Sequence, residues 1–130
     1  MEGAETTISF EPAVLKAYSR NEAYMTITVS GRGAGPIYWC ESEVNVSPPL
    51  TLAPDADMLK AKTRIGIIKP SGAATKKLKI YTKATNVPST YKVSVTTYLY
   101  GEDGAIAERG ECTAEISAID PKVQDKRGNR

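Results

Sequence analysis

The sequence predicts an all-β fold, a single β-sandwich of about seven antiparallel strands in two sheets. Three observations predict this class. Segments rich in β-branched and aromatic residues alternate with polar residues at every second position. Turns rich in Gly and Pro separate these segments at intervals of roughly ten to fifteen residues. No segment has a sustained helical period.

The clearest strand is predicted at residues 89–100, where alternation continues over the whole segment. Pro88 precedes it and the turn 101–104 follows it, so both ends are marked. The residues predicted to face inward are Tyr91, Val93, Val95, Thr97 and Leu99. We expect this strand to lie in the centre of its sheet.

The N-terminal segments predict two further strands. Residues 6–10 form a short edge strand that ends near Pro12. Residues 13–18 either continue this strand after a kink or form one helical turn. Residues 23–30 alternate again and place Met25, Ile27 and Val29 inward. The glycine-rich turn at 31–36 leads into a strand rather than a helix, which argues against a phosphate-binding loop.

The remaining segments complete the sandwich. Strands are predicted at residues 37–46, 63–69, 75–83 and 105–119. The stretch after Pro48 is irregular, with one helical turn that Asp55 or Asp57 would cap. A bulge is expected near Gly110 because the last strand is long.

Length and composition indicate one globular domain at residues 1–119, followed by a polar, flexible tail at 120–130. No apolar run is long enough to cross a membrane. The acidic N-terminus does not resemble a signal peptide. We therefore expect a cytoplasmic protein without a membrane partner, unless an export segment has been removed.

The absence of histidine excludes much familiar chemistry. Ser-His-Asp and Cys-His nucleophiles, as well as histidine metal sites, require this residue. We expect no enzyme, and no catalytic, cofactor or metal site or small-molecule substrate. Cys40 and Cys112 share inward parity on their strands, and we expect two buried free thiols that behave as small apolar residues.

Two aromatic residues carry a resemblance to a known superfamily. Trp39 lies on the third good strand, and Tyr91 opens the penultimate strand two residues before Val93. The chain thereby resembles immunoglobulin-like domains, in the disulfide-free style of prokaryotic fibronectin type III and adhesion modules. The resemblance implies a tyrosine corner at Tyr91. Antibody domains have a disulfide between these sheets, but here Val93 stands at one cysteine position and Met25 and Ile27 lie in the region of the other. Apolar packing would therefore replace the disulfide. It implies no function, because the fold hosts many.

The orientation of Trp39 has two alternatives. An immunoglobulin tryptophan faces the core, but Val44 and Val46 share parity with Cys40 rather than with Trp39. An inward Trp39 would also bury the carboxylates of Glu41 and Glu43, which is costly without partners, unless a bulge changed the alternation. We favour Trp39 outward, because alternation then continues unbroken.

An outward Trp39 lies on the same sheet face as Tyr98 and Tyr100. Exposed aromatic residues on a sheet are common anchors for a protein partner. The alternative is a cross-strand aromatic pair that only stabilises the sheet.

A second candidate surface is basic. No acidic residue lies between Asp57 and Glu102, whereas nine Lys or Arg residues do. Alternation places Lys77, Lys79, Tyr81 and Lys83 on one outer face. The immunoglobulin-like resemblance implies that this strand belongs to the sheet opposite the central one, so the other outer face should collect glutamates. Such a face could bind nucleic acid or another polyanion. The alternative is a solvated face that discourages aggregation.

The sequence therefore predicts a non-catalytic protein-interaction or accessory module. Its partner would be another protein or a second copy, bound through a sheet edge or through Trp39, Tyr98 and Tyr100. The alternative is polyanion binding through the lysine-rich face, for which the chain lacks any of the usual nucleic-acid-binding patterns.

Overall fold

The protein is a two-layer β-sandwich. A computed structural model describes residues 1–122, in which nine strands form two sheets. The strands are β1 (Ala4–Glu11), β2 (Val14–Lys16), β3 (Asn21–Gly31), β4 (Tyr38–Val46), β5 (Leu50–Thr51), β6 (Lys60–Ile68), β7 (Ala73–Thr82), β8 (Ser89–Tyr100) and β9 (Ile106–Ile119). The predicted all-β sandwich is confirmed.

The two sheets differ in size and in pairing. The four-stranded sheet has the order β1-β3-β7-β5, and every pair in it is antiparallel. The five-stranded sheet has the order β2-β9-β8-β4-β6, and only β2 and β9 are parallel. The strand count exceeds the expected seven because the short β2 and β5 leave almost no alternation to detect. As predicted, β8 lies in the centre of its sheet.

The chain changes sheets near its N-terminus. β1 ends at Glu11, the Glu11–Pro12 peptide is cis, and Val14 opens β2 in the opposite sheet. Residues 13–18 therefore form no helical turn; an extended strand resumes after the kink at Pro12, as the first alternative expected, but it pairs in the other sheet. The helical turn expected near Asp55 is also wrong, because that stretch consists of bends.

The core lies between the inward faces of β3 and β8. Met25, Ile27 and Val29 are fully buried, as are Val93 and Val95. These are among the residues that alternation predicted to face inward, so inward and outward side chains alternate regularly over these parts of both strands.

Thr97 is buried among these apolar side chains and remains hydrogen-bonded. Its hydroxyl lies 2.9 Å from Ser42 Oγ, and Thr6 Oγ1 donates to it across the sandwich at 3.3 Å. A hydroxyl buried with its hydrogen bonds made avoids most of the cost of leaving water.

Tyr91 anchors the loop that precedes β8. Its ring is 7% exposed, and its hydroxyl donates to the Val87 carbonyl oxygen. The same hydroxyl accepts from the Val87 N–H at 3.2 Å. This is the geometry expected of a tyrosine corner.

Two register irregularities shape the five-stranded sheet, and the first lies in β9 three residues before Gly110, near which a bulge was predicted. In the first, Leu99 opposes Glu108 and Tyr100 opposes Ile106, so Ala107 is the extra residue. In the second, which lies between β4 and β6, Ile65 is the extra residue.

The second irregularity reorders the side chains of β6. Gly66 has φ 134°, a conformation that favours glycine. Ile65 and Ile68 consequently both face the core, whereas Ile67 faces outward. Regular alternation would have placed Ile65 and Ile67 on the same face.

β9 ends at Ile119, and the Asp120 carboxylate accepts from the Lys122 N–H at 2.9 Å. Of the predicted flexible tail at 120–130, residues 123–130 lie outside the described residues. Within residues 1–122, no helix is long and apolar enough to span a membrane.

Candidate functional site

Trp39 faces outward from the five-stranded sheet. Its side chain is 38% exposed, whereas the neighbouring Cys40 is fully buried. The irregularity beside it places the extra residue on β6, so β4 keeps its alternation. This agrees with the outward orientation favoured by the sequence.

A row of apolar side chains crosses four strands at Trp39. Trp39 opposes Tyr100 on β8 and Ile67 on β6, and Tyr100 opposes Ile106 on β9. Ile67 and Ile106 are 57% and 56% exposed, and Tyr100 is half-buried. We call Ile106, Tyr100, Trp39 and Ile67 the aromatic row. Its four side chains form a continuous apolar band at one end of the outer face.

A second, polar row borders the aromatic row. Tyr98 opposes Glu41 on one side and Arg109 on the other, and Glu41 opposes Arg64. The Trp39 indole Nε1 donates to Glu41 Oε2 at 2.8 Å, which fixes the ring against the sheet. The Arg109 guanidinium lies over the Tyr98 ring, 6.0 Å from its centre. The structure therefore brings Trp39, Tyr98 and Tyr100 together, as predicted.

A shallow hollow of about 250 Å³ adjoins the aromatic row. Its lining includes both tyrosines and two carboxylates from β4. The lining residues are Glu41, Ser42, Glu43, Lys62, Tyr98, Tyr100 and Ile106. The site thus combines a flat apolar band with a concave, partly charged neighbour.

The predicted basic residues lie on the other sheet. Lys77, Lys79 and Tyr81 face outward on β7, and Lys83 follows that strand directly. β7 belongs to the four-stranded sheet, opposite the sheet that holds the central strand β8, as the resemblance implied. Lys77 and Lys79 both lie over the Tyr24 ring, at 5.1 Å and 5.5 Å from its centre.

Acidic residues pair with two of these lysines. Lys79 Nζ lies 2.7 Å from Glu22 Oε1, and Lys83 Nζ lies 3.3 Å from Asp57 Oδ1. The hydrogen bond to Glu22 raises the pKa of Lys79. These acids come from β3 and from the loop before β6, so an analysis of β7 alone could not place them.

The predicted separation of charge between the two faces is wrong. Lys60, Lys62 and Arg64 lie on the same outer face as Glu41 and Glu43, because β6 pairs with β4. Lys60 Nζ is 3.0 Å from Glu43 Oε1, and this hydrogen bond lowers the pKa of that carboxyl. Both signs of charge are therefore interleaved on the five-stranded sheet.

Both cysteines are free, as predicted. Cys40 opposes Leu99 and Cys112 opposes Val95, so β8 lies between the two thiols. Burial raises the pKa of the Cys40 thiol to about 12. The prediction that both are buried is wrong for Cys112, which is only half-buried near the edge of its sheet.

Sequence reasoning missed Ile67 and Ile106, which extend the aromatic row on both sides. Each takes its position from a register irregularity, and such irregularities break the alternation on which the reasoning relied. The available signal for Ile67 was Gly66 inside a strand segment, since a lone strand glycine often marks a bulge.

The glycine-rich turn leads from β3 into β4 and lines a hollow of about 250 Å³. There the Glu108 carboxylate accepts from the backbone N–H groups of Glu2 and Gly3, at 2.8 Å and 3.0 Å. Burial and the Glu108 charge together raise the pKa of Tyr38. A fixed carboxylate makes this hollow unsuited to phosphate. Among residues 1–122, no cluster of three or more Cys, Asp or Glu side chains could hold a metal ion.

Comparisons with known proteins give only distant likenesses. No protein-family model matches the chain, and no curated protein matches it. It is similar to the CARDB domain of the PF1109 protein from Pyrococcus furiosus, solved in complex with di-metal ions. There the identity is 14%, the coverage is 92% of this chain and 91% of that one, and the TM-score is 0.48.

It is also similar to Spo0M, a sporulation control protein from Bacillus subtilis, at 16% identity and a TM-score of 0.48. That match covers 96% of this chain and 53% of the other, so this chain spans about half the length of Spo0M. At these values neither likeness carries an argument about function.

Proposed function

We propose that this chain is an immunoglobulin-like, non-catalytic interaction module that binds another protein through the aromatic row. The observation that carries this proposal is the continuous band of Ile106, Tyr100, Trp39 and Ile67 across four strands. Ile67 and Ile106 are aliphatic and more than half exposed. A band that only stabilised the sheet would not need such exposed apolar side chains.

The residues that border the aromatic row support a partner of a particular chemistry. Arg64 and Arg109 flank the aromatic row, and within residues 1–122 neither forms an ion pair. Glu41 already accepts a hydrogen bond from Trp39. The surface therefore suits a partner with an apolar centre and carboxylates at its rim.

Trp39 has the properties of an anchor residue. Its ring is held in place by Glu41, so binding would cost little additional side-chain entropy. The hollow beside it could accept one protruding partner side chain. Tryptophan, tyrosine and arginine are the residue types that contribute most to binding at protein interfaces.

The experiment places a photo-crosslinking amino acid at Ile67 of the full chain in its native cell. The same amino acid at Val87, which is 51% exposed but lies away from the row, is the matched control. We expect one protein to be crosslinked from position 67 and not from position 87.

The affinity of the purified pair then tests the site quantitatively. Trp39→Ala should weaken binding by about 2 kcal/mol or more, a factor of about 30. Val87→Thr should leave the affinity unchanged. Equal crosslinking from both positions, or unchanged affinity of the Trp39→Ala variant, would contradict the proposal.

Polyanion binding through Lys77, Lys79, Tyr81 and Lys83 receives no comparable support. Glu22 and Asp57 pair with two of these lysines, and Tyr24 lies beneath two of them. Polyanion binding through this face therefore remains a prediction.

A further inference from the structure

β9 has an unpaired edge along its middle. On one side it pairs with β8 from Ile106 to Ala118, apart from Ala107, but on the other β2 pairs only with Ser117–Ile119. At the opposite end the ladder is interrupted at Ala107. Residues 108–116 therefore form a regular stretch with one edge open.

The direction of the backbone groups on this edge follows from the β2 contact. The Ile119 carbonyl accepts from the Ala17 N–H at 2.8 Å, so Ile119 points its backbone toward the edge. Because this direction alternates, the residues that point the same way are Arg109, Glu111, Thr113 and Glu115. An edge with free N–H and C=O groups is a template for another strand.

The charges on the edge strands distinguish β9 from the others. Every charged residue of β6 is basic, and every charged residue of β1 is acidic. Neither strand can pair with its own copy and gain an attractive charge pair. β9 carries both signs, with Arg109 toward one end of the free stretch and Glu115 toward the other.

The free stretch also fixes a register. Cys112 is the middle residue of 108–116. If two copies pair antiparallel along this whole stretch, Cys112 of one copy lies opposite Cys112 of the other. Arg109 then opposes Glu115 of the second copy twice, and Glu111 opposes Thr113. No like charges lie directly opposite each other in this register.

Other registers are worse. With the two-fold axis at Glu111, the Glu111 carboxylates of the two copies lie opposite each other. With the axis at Thr113, Glu111 of one copy lies opposite Glu115 of the other. Centring on Gly110 pairs Arg109 with Glu111 but places the irregularity at Ala107 inside the ladder. Like charges directly opposite each other destabilise a strand pair.

We propose that two copies of this chain pair β9 with β9, antiparallel, about a two-fold axis at Cys112. The two five-stranded sheets become one sheet of ten strands. Within the described residues, neither Arg109 nor Glu115 has an ion-pair partner in the single chain. This dimer shares Arg109 with the border of the aromatic row, but it is argued from the β9 edge and does not rest on the proposed function.

Charge reversal tests the register. Sedimentation equilibrium of the full chain should show a monomer–dimer equilibrium. Arg109→Glu alone and Glu115→Arg alone should each raise the dimer dissociation constant by at least about tenfold. An equimolar mixture of these two variants should dimerise again, because each repulsive pair becomes attractive, and the doubly exchanged chain should also dimerise.

The matched control is Lys76→Glu, which makes the same charge change on the four-stranded sheet and should leave dimerisation unaltered. A wild-type chain that remains monomeric at every concentration would overturn the proposal. So would single reversals without effect, or a mixture that fails to associate.

Cys112 provides a second readout that does not depend on charge. In this register the two Cys112 residues form a non-hydrogen-bonded pair with Cα atoms about 4.5 Å apart, within the span of a disulfide. Mild oxidation should therefore give a covalent dimer that Cys112→Ser abolishes. Moving the thiol by one residue, as in Cys112→Ser/Thr113→Cys, should greatly reduce it. Equal yields from both positions would show that β9 does not pair in this register.

Discussion

At the scale of single residues, Tyr91 shows how one hydroxyl can hold a loop. It donates to the Val87 carbonyl and accepts from the Val87 N–H, four residues upstream, while its ring packs in the core. Removing the hydroxyl leaves two backbone groups without their partner. Tyr91→Phe should therefore reduce the free energy of unfolding by about 1–3 kcal/mol, measured by urea denaturation.

The control for this substitution is Tyr18→Phe, which removes a hydroxyl from a ring that is largely exposed. It should change the stability little. Equal stability of the Tyr91→Phe and wild-type chains would mean that these hydrogen bonds contribute nothing to folding.

At the scale of the strand, Gly66 decides which isoleucines of β6 reach the core. Its φ of 134° is a backbone angle that residues other than glycine rarely adopt. A Cβ added there would meet only the Ala74 Cβ, at 3.6 Å, so the cost of substitution is backbone strain rather than a clash. Gly66→Ala should lower the free energy of unfolding by about 1–3 kcal/mol.

The matched control is Gly35→Ala, since nothing lies within 4 Å of a Cβ at Gly35 and its φ is not in the left-handed range. It should unfold at the same urea concentration as the wild type. If Gly66→Ala matched that control, the irregularity at Ile65 would not depend on glycine.

At the scale of the whole molecule, the distribution of charge follows from strand order. β6 carries three bases to the sheet that holds Glu41 and Glu43, while β3 carries Glu22 to the lysines of β7. Opposite charges are thus interleaved on both faces. We expect no binding to single-stranded nucleic acid at physiological ionic strength, up to about 10⁻⁴ M, measured by fluorescence anisotropy.

The control is the chain with Lys77, Lys79 and Lys83 all replaced by Ser. A measurable affinity that falls with salt, with a slope reduced by two to three phosphate contacts in this variant, would instead establish the lysine-rich face as a polyanion site.

The class of fold, the inward faces of β3, β4 and β8 and the hydrogen-bonding role of Tyr91 were all predictable from the sequence. These properties are local: alternation of residues along one strand specifies which side is buried, and the tyrosine reaches only four residues back. The outward position of Trp39 was predicted on the same ground, because β4 keeps its alternation.

Which residues become neighbours across strands depends on strand order and register, and these are established only in the folded sandwich. Ile67 joins Trp39 only because an extra residue is accommodated on β6, and Glu22 meets Lys79 only because β3 pairs with β7. The free edge of β9 likewise depends on where the three-residue β2 docks. Pairing between distant segments is set by packing of the whole sandwich, and no local pattern in the chain encodes it.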